Sequence, residues 1–156
     1  MRRLRADKPR VQIVSESLTV YKAGKYLTFR VARQDFAMSA DCVRAILPVH
    51  EMAALEAPHE WICGFAALGG RDFPVVDLRA KLGIPHGLHG REPFIVVVET
   101  AGRLAGFIAD RVSEVLDLRP RDFRNGAVRT HGRPRKVLDP AQIMTTGDWS
   151  AFRFEA

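Results

Sequence analysis

The chain has 156 residues, which suits one domain or two small subdomains that share a core. Hydrophobic residues make up 47% and charged residues 27%, an ordinary composition for a soluble globular protein. No apolar run approaches the roughly 20 residues needed to cross a bilayer. The basic N-terminus also lacks the apolar stretch of a secretory signal. The composition therefore predicts a cytoplasmic protein without direct membrane insertion.

The formal net charge of +6 is concentrated in two segments. Residues 1–10 hold five basic and one acidic side chain, and residues 119–136 hold seven basic and one acidic. The rest of the chain is close to neutral. Two basic segments on a near-neutral body indicate either solvated surfaces or contacts with acidic partners.

The first third of the chain alternates short strands with turns. Residues 1–24 are predicted to form a basic arm. Residues 26–31 alternate between apolar and polar side chains, which predicts a half-buried strand, and residues 36–38 return as its hairpin partner. Residues 43–47 are a further short strand, and residues 57–61 suit a helical turn with a proline at its start.

Residues 62–83 are predicted to form a hairpin that leads directly into a short helix. Gly69 and Gly70 make the turn, residues 73–76 form an apolar strand, and Asp77 is placed to cap the helix. This is a packing unit without obvious chemistry, which favours a scaffold over an enzyme.

The second half repeats this order of elements. Residues 94–98 are a continuous apolar run, typical of a strand buried on both faces, and residues 103–112 form a long strand. Two short strands are predicted at residues 127–130 and 134–138, before Asp139 caps a second helix. The weak internal echo and the many short strands predict a mostly-β pair of similar small barrels.

Motifs that indicate catalysis are missing from the sequence. It contains no Gly-rich phosphate loop, no GxSxG and no HExxH. His86 and His89 have a metal-ligand spacing, but they lie in a loop without a nearby cysteine or third histidine, so a solvated loop is predicted. Cys42 and Cys63 are predicted to be reduced structural thiols. We therefore expect no catalytic residue, metal or cofactor.

Residues 62–83 resemble the CheW family of chemotaxis coupling proteins. The matching residues there are Gly64, Leu68, Gly70, Pro74, Val75, Asp77, Leu78, Arg79 and Gly83. Residues 26–38, 42–47 and 94–118 agree as well, and the matches in the last segment include Gly102, Gly106, Asp110, Val112 and Val115. The likeness covers roughly residues 25–145 and is specific as a set. The chain is thereby identified as a divergent member.

The resemblance implies a fold of two small five-stranded, SH3-like barrels around a shared core. It divides the chain into the basic arm at 1–24, a CheW-like domain of two intertwined barrels at 25–146, and a C-terminal tail at 147–156. The segment from residue 123 to residue 137 is shorter than the corresponding segment usually is in the family. This predicts a shortened second barrel, with an open edge that would suit homo-oligomer formation.

The resemblance also implies a non-catalytic adaptor in a bacterial chemosensory pathway, at membrane-associated receptor arrays. The expected partners are the regulatory domain of a CheA-type histidine kinase and the helical tip of a chemoreceptor, which suits an apolar groove. The positions that carry over as receptor- or kinase-binding are Val43, Ala45, Gly64, Gly69, Phe94, Gly106, Val112 and Val115. The resemblance assigns four of these residues to the second barrel, namely Phe94, Gly106, Val112 and Val115. Core or turn roles stay open for the valines and glycines.

Two of these positions depart from the family. Ala45 stands where the family has Glu, and Gly69 where it has Arg, and the resemblance implies that the two normally pair. Loss of one charge would leave the other without a partner, whereas loss of both removes the whole pair. The joint loss predicts a coherent variant of the receptor contact.

The basic segments leave a second function open, a nucleic-acid or nucleotide-binding β-barrel protein. The residues of the predicted anionic-partner patch near the C-terminus are Arg129, Arg133, Arg135 and Lys136. Few aromatic side chains interleave with these cations, so nucleic acid is the less favoured partner.

Overall fold

The computed structural model describes residues 12–14, 19–57, 59–85, 92–130, 132–145 and 148–149, which form fourteen strands and two short helices. The strands are β1 (Gln12–Val14), β2 (Thr19–Tyr21), β3 (Gly24–Val31), β4 (Gln34–Ser39), β5 (Val43–Pro48), β6 (Ala53–Ala54), β7 (Ile62–Leu68), β8 (Arg71–Val76), β9 (Phe94–Thr100), β10 (Arg103–Ala109), β11 (Arg111–Leu118), β12 (Phe123–Arg124), β13 (Ala127–Thr130) and β14 (Arg133–Leu138). The helices are α1 (Leu78–Leu82) and α2 (Pro140–Ile143). The predicted mostly-β class is confirmed.

The order of elements repeats once along the chain. Strands β3 to β8 with α1 form the first repeat, and β9 to β14 with α2 form the second. Asp77 accepts a hydrogen bond from the Arg79 backbone N–H at 3.0 Å, and Asp139 accepts one from the Ala141 N–H at 2.9 Å. Each helix therefore begins with the same side-chain cap, which is what the echo in the sequence reflects.

The two repeats exchange their first hairpins. Sheet I has the strand order β11-β3-β4-β14-β13-β12, and sheet II has the order β5-β9-β10-β8-β7-β6. In each sheet, two strands come from one repeat and four from the other. The exchanged hairpins join through parallel pairings, in which Val137 lies opposite Ala37 in sheet I and Gly106 opposite Val75 in sheet II. Each sheet has the five longer strands predicted, plus one two-residue strand.

The exchange corrects the predicted assignment of positions to barrels. The sequence assigns Phe94 and Gly106 to a second barrel, but both lie in sheet II with Gly64. Only Val112 and Val115, on β11, lie in the other sheet. The reason is that the chain changes sheets at Asp110, directly after β10.

The region predicted to be shortened retains its strands. Strands β12, β13 and β14 follow one another through tight turns, and sheet I has six strands, as sheet II has. The turns are tight because their residues adopt positive φ angles, which are found at Asn125, Gly126 and Gly132. The segment is therefore short but keeps all of its strands. Strands β11 and β12 are the outer strands of sheet I. Homo-oligomer formation through such an edge stays a prediction.

Three apolar clusters hold the sheets together. A central core lies between sheets I and II and contains Phe29 and Phe36 from sheet I and Val96 and Phe107 from sheet II. Each sheet also curls around a smaller core, centred on Phe73 in sheet II. The smaller core of sheet I contains residues Tyr26, Ala37, Leu118, Phe123 and Val128. Successive residues of β9 face different clusters, which confirms the prediction of a strand buried on both faces.

The segment at residues 57–61 is not the helical turn that the sequence predicts. Its described residues, 57 and 59–61, form bends or irregular chain. The carbonyl oxygen of Trp61 accepts a hydrogen bond from the Asp77 N–H at 2.8 Å, and the Leu55 N–H donates to the Cys63 carbonyl at 3.1 Å. These contacts hold the chain on both sides in extended pairing, so a helical turn does not form. No helix of the described residues is long and apolar enough to span a membrane.

The described part of the predicted C-terminal tail packs against the domain. Trp149 is 9% exposed and belongs to the central core, with the Arg103 guanidinium 5.4 Å from its ring centroid. Asp148 accepts a hydrogen bond from Lys81 Nζ at 2.7 Å, and the same ammonium lies 4.2 Å from the Trp61 ring centroid. Of the predicted arm, β1 and β2 form a separate two-stranded sheet. Residues 22 and 23 connect β2 to β3, which begins at Gly24, and the remaining residues of the arm and tail lie outside the described ones.

Replacing Trp149 by alanine tests the contribution of this contact. Trp149→Ala removes a large buried ring from the central core, and we expect the free energy of unfolding to fall by about 3 kcal/mol. The control Arg103→Met removes only the cation above the ring and should cost less than about 1 kcal/mol. Equal urea midpoints for Trp149→Ala and wild type would contradict the docked position of this side chain.

Candidate protein-binding surface

Among the residues that the structure describes, three large apolar side chains reach the surface, and all lie on or beside outer strands of the sheets. Ile46 on β5 is 42% exposed, Phe94 on β9 is 37% exposed, and Val115 on β11 is 53% exposed. Strand β5 is one of the two outer strands of sheet II, and β11 is one of the two outer strands of sheet I. We call these three side chains the apolar edge residues.

The strand register shows which face of each sheet these residues occupy. Ile46 lies opposite Val96, and Val115 lies opposite Leu27. Directly opposed residues of an antiparallel pair share a face, and both Val96 and Leu27 belong to the central core. Phe94 is two residues before Val96 on β9 and therefore lies on the same face. The apolar edge residues thus extend the central core to the surface, as expected of a protein contact rather than of isolated surface residues.

The sequence predicted some of these positions and missed one. Phe94 and Val115 were among the predicted binding residues, and both are exposed. Val43 and Val112 are only partly exposed and pack against the central core, so a core role accounts for both. Ile46 was missed, because residues 45–47 are all apolar and the sequence does not show which of them is exposed. In the structure, exposure alternates along β5, and Ile46 is exposed as Arg44 is.

Ala45 and Gly69 lie beside a charged cluster that the sequence did not predict. Arg44 Nε lies 3.1 Å from Glu99 Oε1, and Arg71 Nη2 lies 3.5 Å from Glu99 Oε2. These residues connect β5, β9 and β8 at one end of sheet II. The hydrogen bond from Arg44, with the attraction of Arg71, lowers the pKa of Glu99. The carboxylate of Glu99 on β9 therefore connects an arginine of β5 with an arginine of the β7–β8 hairpin.

The two altered positions themselves are consistent with their new residues. Ala45 is partly buried and packs against the core of sheet II. Gly69 and Gly70 have φ angles of +57° and +79°, the conformation of a two-residue hairpin turn that favours glycine. A Cβ on Gly69 would meet no atom within 4 Å, so only the backbone conformation disfavours a side chain there.

Two of the predicted binding glycines are buried instead, and close packing accounts for both. A Cβ on Gly64 would overlap the carbonyl oxygen of Ala53 and the Met52 side chain. A Cβ on Gly106 would lie 2.5 Å from a methyl group of Ile95 and 3.0 Å from the Phe73 ring. Only glycine lets the neighbouring chain approach this closely.

The predicted anionic-partner patch does not form one surface. In the β13–β14 hairpin, Arg129 lies opposite Pro134, and Lys136 lies opposite Ala127. Since successive residues of a strand point to alternate faces, Arg133 and Arg135 lie on the other face. Arg135 is only 7% exposed and lies opposite Val128, a residue of the sheet I core. A continuous basic track through all four residues is therefore ruled out.

Arg133 and Arg135 instead face Asp35, at the start of β4. Arg30 Nε donates to Asp35 Oδ1 at 3.1 Å, and Arg133 Nε lies 3.6 Å from Asp35 Oδ2. Partial burial raises the pKa of Asp35, but the hydrogen bond from Arg30 and the charges of the arginines outweigh it, so the pKa is lowered overall. Asp35 is thus a carboxylate held between guanidinium groups, as Glu99 is in sheet II.

The residues considered for redox or metal chemistry give no such site among those the structure describes. Cys42 and Cys63 are free thiols, and burial raises the pKa of each to about 11. They stay protonated at neutral pH, as structural thiols do. No group of three or more His, Cys, Asp or Glu residues within the described ranges is arranged to hold a metal. His86 and His89 lie outside those ranges.

Comparison with known proteins identifies the fold. A family model described as the CheW-like domain matches residues 25–148. The chain belongs to the CheW-like domain family. The predicted resemblance is thereby confirmed. The solved structure of the scaffolding protein TtCheW from Thermoanaerobacter tengcongensis is similar, with a TM-score of 0.70 and 20% identity, over 82% of this chain and 92% of that one. The predicted pair of SH3-like barrels is confirmed as the fold.

Curated CheW proteins are similar over part of their length. The chemotaxis protein CheW of Rhizobium meliloti (strain 1021) is 28% identical over 98 residues, which are 63% of each chain. The chemotaxis protein CheW of Bacillus subtilis (strain 168) is 27% identical over 92 residues, which are 59% of each chain. The matched region thus spans about three fifths of the length of these relatives.

The packing role of Gly64 predicts a loss of stability on substitution. Gly64→Ala places a methyl group against the backbone of β6, and we expect the free energy of unfolding to fall by about 2 kcal/mol. The matched variant Gly106→Ala meets only side chains, which move more easily, so its loss should be smaller. Chemical denaturation measures both. A Gly64→Ala protein as stable as wild type would contradict the packing role.

The environment of Asp35 predicts a pH-dependent contribution to stability. A carboxyl whose pKa is lowered by folding stabilises the protein above its unfolded pKa, and this contribution is lost as the pH falls through the folded pKa. Asp35→Asn leaves the arginines without their shared carboxylate, so we expect a loss of about 1–3 kcal/mol at pH 7.

The difference between wild type and Asp35→Asn should then shrink as the pH falls from about 5 to 2. Urea denaturation at several pH values measures it. Asp117→Asn, which removes a carboxylate from an exposed pair with Lys25, is the control and should change stability little at any pH. A difference at Asp35 that is independent of pH would count against the ionic origin of the effect.

Proposed function

We propose that this protein is a non-catalytic adaptor that couples chemoreceptors to a CheA-type histidine kinase by protein–protein binding. The observation that carries the proposal is the set of apolar edge residues on a CheW-like domain. Ile46, Phe94 and Val115 expose apolar surface that continues the central core. An exposed extension of a core gives a partner a rigid apolar surface to bury.

The partners proposed are the regulatory domain of the kinase and the cytoplasmic tip of a receptor. The similar proteins from Rhizobium meliloti and Bacillus subtilis are named chemotaxis proteins, and that from Thermoanaerobacter tengcongensis a scaffolding protein. A helical receptor tip would lay its apolar side chains against the apolar edge residues. We propose that the protein acts in the cytoplasm, at membrane-associated receptor arrays.

The receptor contact is proposed to differ from that of other CheW proteins. The acid–base pair that the family resemblance implies at Ala45 and Gly69 is absent, and Arg44, Glu99 and Arg71 form the ionic connection there. A receptor that meets this end of sheet II would meet two half-exposed guanidinium groups. The nucleic-acid alternative is not favoured, because Arg129 and Lys136 lie on a different face from Arg133 and Arg135.

Binding measurements with purified partners test the adaptor proposal. We expect wild type to bind both the kinase regulatory domain and a receptor cytoplasmic fragment from the same organism. Ile46→Asp and Val115→Asp each place a charge on the apolar surface, and each should weaken binding of at least one partner by about tenfold or more. The control Asn125→Asp adds the same charge at an exposed turn between β12 and β13 and should bind as wild type does.

Thermal unfolding of each variant separates loss of binding from loss of fold. Since Ile46 and Val115 are exposed, their substitution should lower the melting temperature little. The proposal fails if wild type binds neither partner, or if all three aspartate variants bind as wild type does.

A further inference from the structure

A group of five arginines surrounds one end of sheet I. They are Arg30, Arg33, Arg111, Arg133 and Arg135, which we call the arginine rim. Arg111 lies directly opposite Arg30, and Arg30 lies directly opposite Asp35. Lys136 pairs with Phe36 in the parallel β14–β4 ladder, so Arg135 lies beside Asp35 and Arg133 lies level with the β3–β4 turn. Arg33 is in that turn.

The charges at this end do not balance. Asp35 is the one carboxylate on β3, β4 and β14, and it is shared by Arg30 and Arg133. Asp110 also lies near the turn. It accepts a hydrogen bond from the Ala32 N–H at 2.7 Å, and its charge attracts the guanidinium of Arg79 in α1. Among the described residues, Arg33 and Arg111 form no ion pair, and both are exposed. The rim thus has two exposed cations, Arg33 and Arg111, that no carboxylate of the described residues pairs with.

One cross-strand pair in the rim is unfavourable for folding. Arg111 and Arg30 are directly opposed on the same face, and like charges in that arrangement destabilise a sheet. The equivalent cluster in sheet II has no such pair, because Arg44 and Arg71 lie on separate strands with Glu99 between them. A feature that works against folding, at an exposed position, indicates a role other than stability.

From this arrangement we infer that the arginine rim binds an acidic segment of a protein partner. This inference rests on the proposed adaptor function and specifies the chemistry of one of its contacts. Asp35 holds the guanidinium of Arg30 in place, and oriented guanidinium groups match the geometry of carboxylates. Nucleic acid fits the rim less well, since Arg129 and Lys136, which would extend the cations into a track for successive phosphates, lie on the opposite face.

Substitution of the two arginines without an ion pair isolates the rim from the fold. Arg33→Glu with Arg111→Glu reverses two exposed charges at residues that form no ion pair with Asp35. Lys22→Glu with Arg119→Glu is the matched control. Both residues are exposed and lie just beyond the Gly24–Leu118 pair, about 20 Å along β3 from Arg30. The control makes the same change in net charge at the far end of the sheet.

Fluorescence anisotropy with a labelled polyglutamate peptide of roughly ten residues measures the rim directly. At low salt, wild type and the control should bind it equally, and the rim variant about tenfold or more weakly. Equal affinity for all three proteins, or an equal loss in both variants, would overturn the inference. The inference would also be overturned if wild type bound a labelled single-stranded DNA of the same charge more tightly than the peptide and the rim variant lost that binding. The rim would then be a nucleic-acid site.

Binding of the same variants to the kinase regulatory domain and to the receptor fragment separates this inference from the proposed function. Weaker binding of either partner by the rim variant alone, with the control unaffected, supports the rim as a contact. If wild type binds both partners and the rim variant binds them equally well, the adaptor function stands and the inference fails. If wild type binds neither, the adaptor function fails, and the peptide measurement alone decides on the rim.

Discussion

Each sheet depends on a parallel pairing between the last strand of one repeat and the first hairpin of the other. In sheet I, β14 pairs with β4, and in sheet II, β8 pairs with β10. Leu138 and Met38, opposed across the first of these pairings, both belong to the central core. Neither repeat therefore has a complete sheet or a complete core without the other. A mutation in one repeat acts on surfaces that are formed by both.

The local elements were predictable because they depend on neighbouring residues. The alternation in residues 26–31, the glycine turn before Arg71 and the Asp77 cap each have a short-range cause, and the structure has all three. The exchange of hairpins has no local signal. It depends on pairings between residues about 100 positions apart, such as Val137 and Ala37, and the periodicity of a single strand does not specify its neighbour.

The same limit applies to the candidate surfaces. Family resemblance led to Phe94 and Val115, but exposure, which separates them from the packed Val43 and Gly64, depends on the whole fold. The basic residues of β14 were visible in the sequence. Their separation onto two faces follows from strand alternation, yet the role of Asp35 does not, because Asp35 meets them only through the parallel β14–β4 pairing.

The structural repeat extends to the electrostatics at the two ends. Arg133 begins β14 and reaches Asp35 on the exchanged hairpin of sheet I, and Arg71 begins β8 and reaches Glu99 on the exchanged hairpin of sheet II. Each ionic contact joins one repeat to the other at the same point of the fold. The ends differ in the charges that surround this contact, and Arg111 opposite Arg30 makes the end of sheet I the more positive.

Strand β11 connects the two chemically different surfaces of the molecule. Val112 and Val115 lie opposite Phe29 and Leu27, on the face of the central core, whereas Arg111 lies opposite Arg30, on the other face. A bulge between Val112 and Val115 returns both valines to one face despite their odd spacing. Under the proposed adaptor function, apolar and cationic contacts on opposite faces of one strand would let two partners bind together, because a partner that buries one face leaves the other open.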